Sequence, residues 1–141
     1  MKLVAFRLEY QITVDEDRNQ VTYERFEELS LATDLPFYLS DWQRAISYMK
    51  LNFTVLYDVR RRVGPNVRLL PLYLRLHLLW LKNNVGVVAE VHPTVFNMQQ
   101  ISRTLREQTK LPVQLFTDRA EAEAFLHDFR LGLPTCDIKP V

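Results

Sequence analysis

Charged and titratable side chains stand directly after two apolar runs in the middle of the chain. The runs, Phe53–Asp58 and Val85–Val91, have the composition of strands that are buried on both faces. The carboxyl ends of parallel strands lie along one edge of a sheet, and ligands of open α/β sheets bind at that edge. We therefore predict a site for a ligand or partner that is formed by Asp58, Arg60, Arg61, Arg62 and His92.

The three consecutive arginines of this predicted site favour an anionic ligand or an acidic partner. They precede a predicted helix start, and a helix N-terminus adds positive potential. A solvated loop of unpaired charges is the simpler interpretation of the same run. His92 could serve as a general base together with Asp58, but no serine, cysteine or lysine nucleophile is evidently paired with it. A plain loop histidine is therefore the simpler interpretation of His92.

The sequence does not indicate metal or cofactor chemistry. Cys136 is the only cysteine, and His77, His92 and His127 lack the spacing of metal ligands. No catalytic constellation and no phosphate-binding loop stands out in the sequence. We therefore expect no metal, no cofactor and no enzymatic activity. The single thiol fits a reducing, cytoplasmic compartment.

The fold that positions these side chains is predicted by three apolar runs with the composition of buried strands, the two named above and a third. Segments of helix length separate the three runs from one another. The third run is Val113–Thr117. Strands that alternate with helices pair in parallel through right-handed crossovers. Before them, Phe6–Val14 and Val21–Phe26 alternate apolar and polar residues, as the strands of an antiparallel hairpin do. The sequence thus predicts a single α/β domain, an N-terminal β-hairpin followed by βαβαβα with a mixed, largely parallel sheet.

The bounds of the domain and of its first helix follow from local signals. We predict a domain over residues 1–130, and the Gly- and Pro-containing segment Leu131–Val141 reads as a C-terminal tail. Ser40 and Gln43 have the spacing of a capping box, which predicts a helix that begins at Ser40. The conformation of Glu27–Leu39 is left open.

The segment Val67–Leu81 is ambiguous between helix and strand. Its leucines recur with period two, but leucine is a good helix former and β-branched residues are nearly absent, so a helix is preferred. One stripe can bury only about half of so apolar a helix. The remainder could form a homodimer interface, be covered by the tail, or line an apolar ligand pocket. The interface side chains would be Tyr73, Leu76 and Trp80.

Charge and hydropathy argue against two classes of partner. Lys+Arg 18 against Asp+Glu 17 gives the 141 residues a formal net charge of +1, which argues against nucleic-acid binding through a broad basic surface. The longest apolar stretch is Val67–Leu81, which contains charged residues and falls short of the roughly 20 residues that span a bilayer. We therefore expect no nucleic acid and no transmembrane segment.

Three stretches of the chain carry a family resemblance, and they are Val55–Asp58, Val85–Ala89 and Phe116–Ala122. The first ends a strand in Asp after the first long helix. The second is a strand of the Val-Ala-Val-Val type, and the third is a Phe-x-Asp-x-x-x-Ala segment that leads into the terminal helix. In these motifs and in its order of elements, the chain resembles the STAS-like domains, in particular the SpoIIAA-like branch, over about residues 6 to 129.

This resemblance implies a non-enzymatic regulatory or protein-interaction module. In the anti-sigma-factor antagonists of that family, a phosphorylatable serine follows the strand that matches Phe53–Asp58. No Ser or Thr lies between Asp58 and Asn66 here, so the phosphoserine switch is not carried over. The expected partner is a protein, a second copy of the chain included. The alternative is a small anionic or amphipathic ligand at the sheet edge near Arg60–Arg62 and His92.

Overall fold

Six strands and three helices are bounded within the part of the chain that the computed structural model describes, residues 1–26, 35–61, 69–93, 103, 107 and 109–133. The strands are β1 (Lys2–Phe6), β2 (Tyr10–Asp15), β3 (Gln20–Arg25), β4 (Thr54–Asp58), β5 (Val87–Val91) and β6 (Val113–Phe116). The helices are α1 (Tyr38–Ile46), α2 (Leu70–Lys82) and α3 (Arg119–Arg130). The strands form one sheet, and the helices pack on both of its faces.

The order of the strands in the sheet, β1–β2–β3–β4–β5–β6, is the order of the chain. β1 pairs antiparallel with β2, and β2 pairs antiparallel with β3. From β3 to β6 each pair of neighbouring strands is parallel. The predicted α/β class, the hairpin and the mixed sheet are therefore confirmed.

A turn breaks the run Phe6–Val14, which the alternation predicts as one strand. The backbone N–H of Arg7 donates to the carbonyl oxygen of Tyr10 at 2.8 Å and closes this turn. Lys2–Phe6 is consequently a separate edge strand, β1. The prediction was wrong because Leu8 occupies an apolar position of the alternation although it stands exposed in the turn.

Helix α1 begins at Tyr38 and not at the predicted Ser40. Phe37 holds the N-cap position without a side-chain cap, and Ser40 Oγ donates to the Phe37 carbonyl oxygen at 3.0 Å from within the first turn. A side-chain cap contributes about 1 kcal/mol. Fully burying an aromatic side chain such as that of Tyr38 contributes more, so packing extends the helix beyond its local start signal.

Helix α2 confirms the helical interpretation of the leucine-rich segment. It packs with α1 on the same face of the sheet, where Trp80 meets Trp42 edge-on at 5.2 Å between ring centroids. Tyr73, Leu76 and Trp80 are all buried in this core of a single chain. These side chains are therefore not available as the predicted subunit interface, because α1 and the sheet already cover them.

Two apolar clusters lie on opposite faces of the sheet. The first face, under α1 and α2, holds an aromatic core in which the rings of Tyr23 and Tyr57 stack at 4.7 Å. The second face, under α3, holds a smaller aliphatic core that includes Leu56 and Leu126. Alternation along β4 sends Leu56 to the second face and Tyr57 to the first, so this strand contributes to both cores.

None of the described helices has the length and hydropathy needed to cross a membrane. Several parts of the predictions lie outside the described residues. They are Arg62, residues 27–34, residues 67–68, most of the segment predicted as a helix between β5 and β6, and residues 134–141 of the tail.

Candidate functional site

Charged side chains meet where β3 and β4 end and α3 begins. Glu24 and Asp58 are partners in the register of β3 and β4. Arg119, the first residue of α3, reaches both carboxylates from above the second face. We call this group the carboxyl-edge cluster, and its members are Glu24, Arg25, Asp58, Arg60, Arg61 and Arg119.

Asp58 is the centre of the carboxyl-edge cluster. It is buried at the end of β4 and accepts hydrogen bonds from Arg60 Nε at 3.0 Å and Arg60 Nη2 at 2.9 Å. The backbone N–H of Arg60 donates to the same carboxylate at 3.1 Å. These hydrogen bonds raise the pKa of the Arg60 guanidinium, although its partial burial acts in the opposite direction. A buried carboxylate thus holds the Arg60 side chain in one orientation.

Arg119 links three acidic side chains. Its Nη1 lies 2.8 Å from Glu24 Oε1 and 3.3 Å from Asp58 Oδ2, and its Nε lies 3.2 Å from Glu123 Oε1. Burial alone would lower the pKa of Arg119, but the three carboxylates outweigh it and raise that pKa. The guanidinium therefore stays charged and fixed between two strands and its own helix.

A cavity of about 210 Å³ opens at this cluster, lined by Glu24, Arg25, Asp58, Arg60 and Arg61. Three of the lining side chains are cationic and two are anionic, so the lining carries an excess of one positive charge. Arg61 is exposed, and in the part of the chain that is described it forms no ion pair. One water molecule takes about 30 Å³ of liquid, so the cavity has room for a small oxyanion.

His92 does not join the carboxyl-edge cluster. Its Nε2 lies 2.7 Å from Glu90 Oε1, and Glu90 is the register partner of Tyr57 in the first-face core. Asp58 is held on the second face by α3. Asp58 and the Glu90 partner of His92 therefore lie on opposite faces of the sheet.

His92 lies just after the end of β5, outside the strand, but it is not a solvated side chain. Both His92 and Glu90 are buried, and their contact orients the imidazole ring. The Nδ1 atom of His92 is also buried, and within the described part of the chain it has no hydrogen-bond partner. Among the described residues, no group of three or more His, Cys, Asp or Glu side chains is arranged to hold a metal ion.

A second charged network ties the β1–β2 turn to α1. Asp41 is buried and accepts from Arg7 Nε at 3.0 Å, from Arg7 Nη2 at 2.9 Å and from the hydroxyl of Tyr10 at 2.6 Å. Arg44 Nη2 adds a contact of 2.8 Å from the next turn of the helix. Burial acts to raise the pKa of Asp41, but the hydrogen bonds from Arg7 and Tyr10 outweigh it and lower that pKa. Burial and the bond to Asp41 strongly raise the pKa of Tyr10.

The structure brings together Asp58, Arg60 and Arg61 of the predicted site and adds members that the sequence did not reveal. Glu24 and Arg119 are 95 positions apart in the chain, and only the sheet register and the position of α3 join them. A signal for both was present, because each stands where a strand of the parallel sheet ends or the following helix begins. The rule that ligands bind at the carboxyl ends of parallel strands applies to β3 and to the start of α3 as well as to β4, and it would have predicted Glu24 and Arg119 as site residues.

Comparison with known proteins adds no relative. No family model, no curated protein and no solved structure matches this chain. A functional assignment therefore depends on the geometry of the chain itself.

Proposed function

We propose that the chain is a non-enzymatic binding module that holds a small oxyanion, a phosphate or carboxylate group, in the cavity of the carboxyl-edge cluster. The observation that carries this proposal is the fixed orientation of Arg60 by the buried Asp58, next to the exposed Arg61 in the lining of the same cavity. Arginine binds phosphate and carboxylate groups through paired N–H donors. Donors that are held in place before binding lose little conformational entropy when the anion arrives.

Inorganic phosphate is the probe that tests this proposal. We expect phosphate to raise the thermal unfolding temperature with a dependence on its concentration, because a ligand that binds only the folded state stabilises it by mass action. Arg61→Gln should lower the apparent affinity roughly three- to tenfold, the loss of one charge-assisted contact at a partly exposed site. Arg75→Gln is the matched control, because Arg75 is an exposed arginine on α2.

Sodium chloride at equal ionic strength separates specific binding from screening. The proposal predicts that chloride produces a smaller effect than phosphate and that Arg75→Gln behaves as the wild type. An identical response of the wild type, Arg61→Gln and Arg75→Gln would place phosphate elsewhere and contradict the proposed site.

A second candidate function is the STAS-like, cytoplasmic interaction module that the sequence motifs suggest, with a second copy of the chain as its partner. An exposed apolar group at the β1–β2 turn favours it. Phe6, Leu8 and Phe37 are 67%, 82% and 52% exposed, and the guanidinium of Arg7 lies over the Phe37 ring at 4.4 Å. Exposed apolar side chains of this kind are candidate contacts for such a partner.

A further inference from the structure

A larger cleft lies at the other end of the molecule, at the amino edge of the parallel strands. Its volume is about 650 Å³, within the range of small-molecule sites. It lies between the β2–β3 turn, the loop before β4 and the C-terminal end of α3. Its lining includes Asp17, Arg18, Asn19, Asn52, Phe129 and Arg130.

The wall of this amino-edge cleft is held by hydrogen bonds of one side chain. Asn19 has a positive φ of 54° and accepts from the Lys50 backbone N–H at 2.7 Å through its side-chain oxygen. Its side-chain nitrogen donates to the carbonyl oxygens of Lys50 and Leu51, each at 3.2 Å. The hairpin turn and the loop before β4 therefore form one connected wall, whose shape exists before any ligand binds.

Two guanidinium groups face the amino-edge cleft. Arg130 Nη1 donates to Gln20 Oε1 at 2.6 Å, which fixes the end of α3 against β3. Burial and the positive charge of Arg18 lower the pKa of Arg130, and Asp15 opposes this effect. Asp15 also lies 3.6 Å from Arg18 Nε. Arg18 and Arg130 line the same cleft and carry like charges, so an anion between them would relieve their repulsion.

The other lining residues give the cleft one apolar wall and one negative charge, which is unfavourable for an anionic ligand. Phe129 supplies an aromatic wall beside Arg130. Asp17 is exposed at the rim, and its carboxylate repels anions. A ligand with a ring that contacts Phe129 and one anionic group near the arginines matches this distribution, whereas a second anionic group near Asp17 does not.

We infer that the amino-edge cleft is a second binding site that takes a small amphipathic anion, with its phosphate or carboxylate group between Arg18 and Arg130 and its ring against Phe129. This site is independent of the carboxyl-edge cluster, since the two lie at opposite ends of the parallel strands and share no residue.

Phenyl phosphate is the probe, and amide chemical shifts in an NMR titration are the readout because they locate the site. We expect saturable shifts at Asn19, Asn52 and Gly132, and weaker binding of inorganic phosphate, which lacks the ring. Arg18→Gln should raise the dissociation constant roughly three- to tenfold, since it removes one cation from a mostly exposed position. Asp17→Asn should lower the dissociation constant, because it removes the repelling carboxylate.

Arg61→Gln is the control at the other site and should leave these shifts unchanged. Shifts that stay near Asp58 and Arg60 and that respond to Arg61→Gln alone would overturn this inference while supporting the carboxyl-edge site. Unchanged binding in Arg18→Gln, or shifts at the cleft that do not saturate, would overturn it irrespective of the result with inorganic phosphate.

Discussion

At the scale of single residues, two buried carboxylates organise the charged part of the molecule. Asp41 and Asp58 are each buried near the end of an element, and each is approached by two arginines. A buried charge is expensive unless it is paired and hydrogen-bonded, so these arginines are needed for the fold. Asp41 joins parts of the chain that are 34 positions apart through Arg7.

The lowered pKa of Asp41 predicts an acid-sensitive part of the stability. A carboxylate whose pKa is lowered on folding contributes stability that is complete above its unfolded pKa and is lost as the pH falls through the folded pKa. We expect Asp41→Asn to cost roughly 2–3 kcal/mol at pH 7, the effect of breaking a buried charged hydrogen-bond network. The difference from the wild type should begin to shrink below about pH 4, where Asp41 of the unfolded chain takes up its proton, and should shrink further as the pH falls towards the lower folded pKa.

Urea unfolding at pH 7, 5 and 3 measures this difference. Glu16→Gln, a substitution of an exposed acid in the hairpin turn, is the control and should change stability little at any of the three values. A cost of Asp41→Asn that is the same at pH 3 as at pH 7 would show that packing, and not the charge of Asp41, accounts for it.

At the scale of elements, helix α2 shows how a period-two pattern fits a helix. Each step of two residues turns a helix by about 200°, so leucines two apart alternate between opposite sides. Leu76 accordingly lies in the core with 1% exposure, while Leu78 is 51% exposed. The apolar side chains Tyr73, Leu76 and Trp80, which suggested a subunit interface, are packed between α1 and the sheet of the same chain.

Truncating these two leucines compares how much the buried side and the exposed side of α2 contribute to stability. Leu76→Ala should lower the free energy of unfolding by about 2–5 kcal/mol, because it removes apolar contacts and leaves a cavity. Leu78→Ala is matched in chemistry and helix propensity change and should cost less than about 1 kcal/mol. Chemical denaturation of both variants gives the comparison, and equal costs would mean that α2 is rotated about its axis relative to this structure.

The sequence was sufficient to predict those strands and helices whose amino-acid composition follows from their burial. The central runs around Leu56 and Val88 are apolar on both sides because helices cover both faces, and that composition is visible without a structure. Sequence reasoning failed where tertiary packing overrode a local pattern, as at Tyr38, which extends α1 beyond Ser40. It also failed for the site, because Arg119 joins Glu24 only through the register of the strands and the position of α3.

At the scale of the whole molecule, the two faces of the sheet are unequal. The first face is packed by α1 and α2, with α1 reaching β1 and β2, whereas α3 on the second face contacts β4, β5 and β6. Alternation along β2 places Gln11 and Thr13 on the second face, opposite the buried Ile12. Their register partners on β1 are the exposed Phe6 and Leu3. Exposed apolar side chains therefore lie along the edge strand and in its turn, at Leu3, Phe6 and Leu8.

The oligomeric state tests whether this turn is a surface for a second copy of the chain. If the homodimer proposal holds, light scattering should give a dimer mass for the wild type and a monomer mass for Leu8→Lys, because a charge at the contact must be desolvated. Leu51→Lys is the matched control, since Leu51 is 69% exposed in the loop after α1. A monomeric wild type would contradict the homodimer proposal, and a dimer in all three proteins would place the contact elsewhere.

The strands lie in the sheet in the same order as they occur in the chain, which affects how the sheet can form during synthesis. A ribosome releases the chain from its N-terminus, so each strand emerges when the neighbour that precedes it in the sheet has already been synthesised. The sheet can therefore grow outwards from the first hairpin, one strand at a time, and no later strand has to be inserted between two earlier ones. An unfinished chain then presents a single growing edge, which the next segment of the same polypeptide covers.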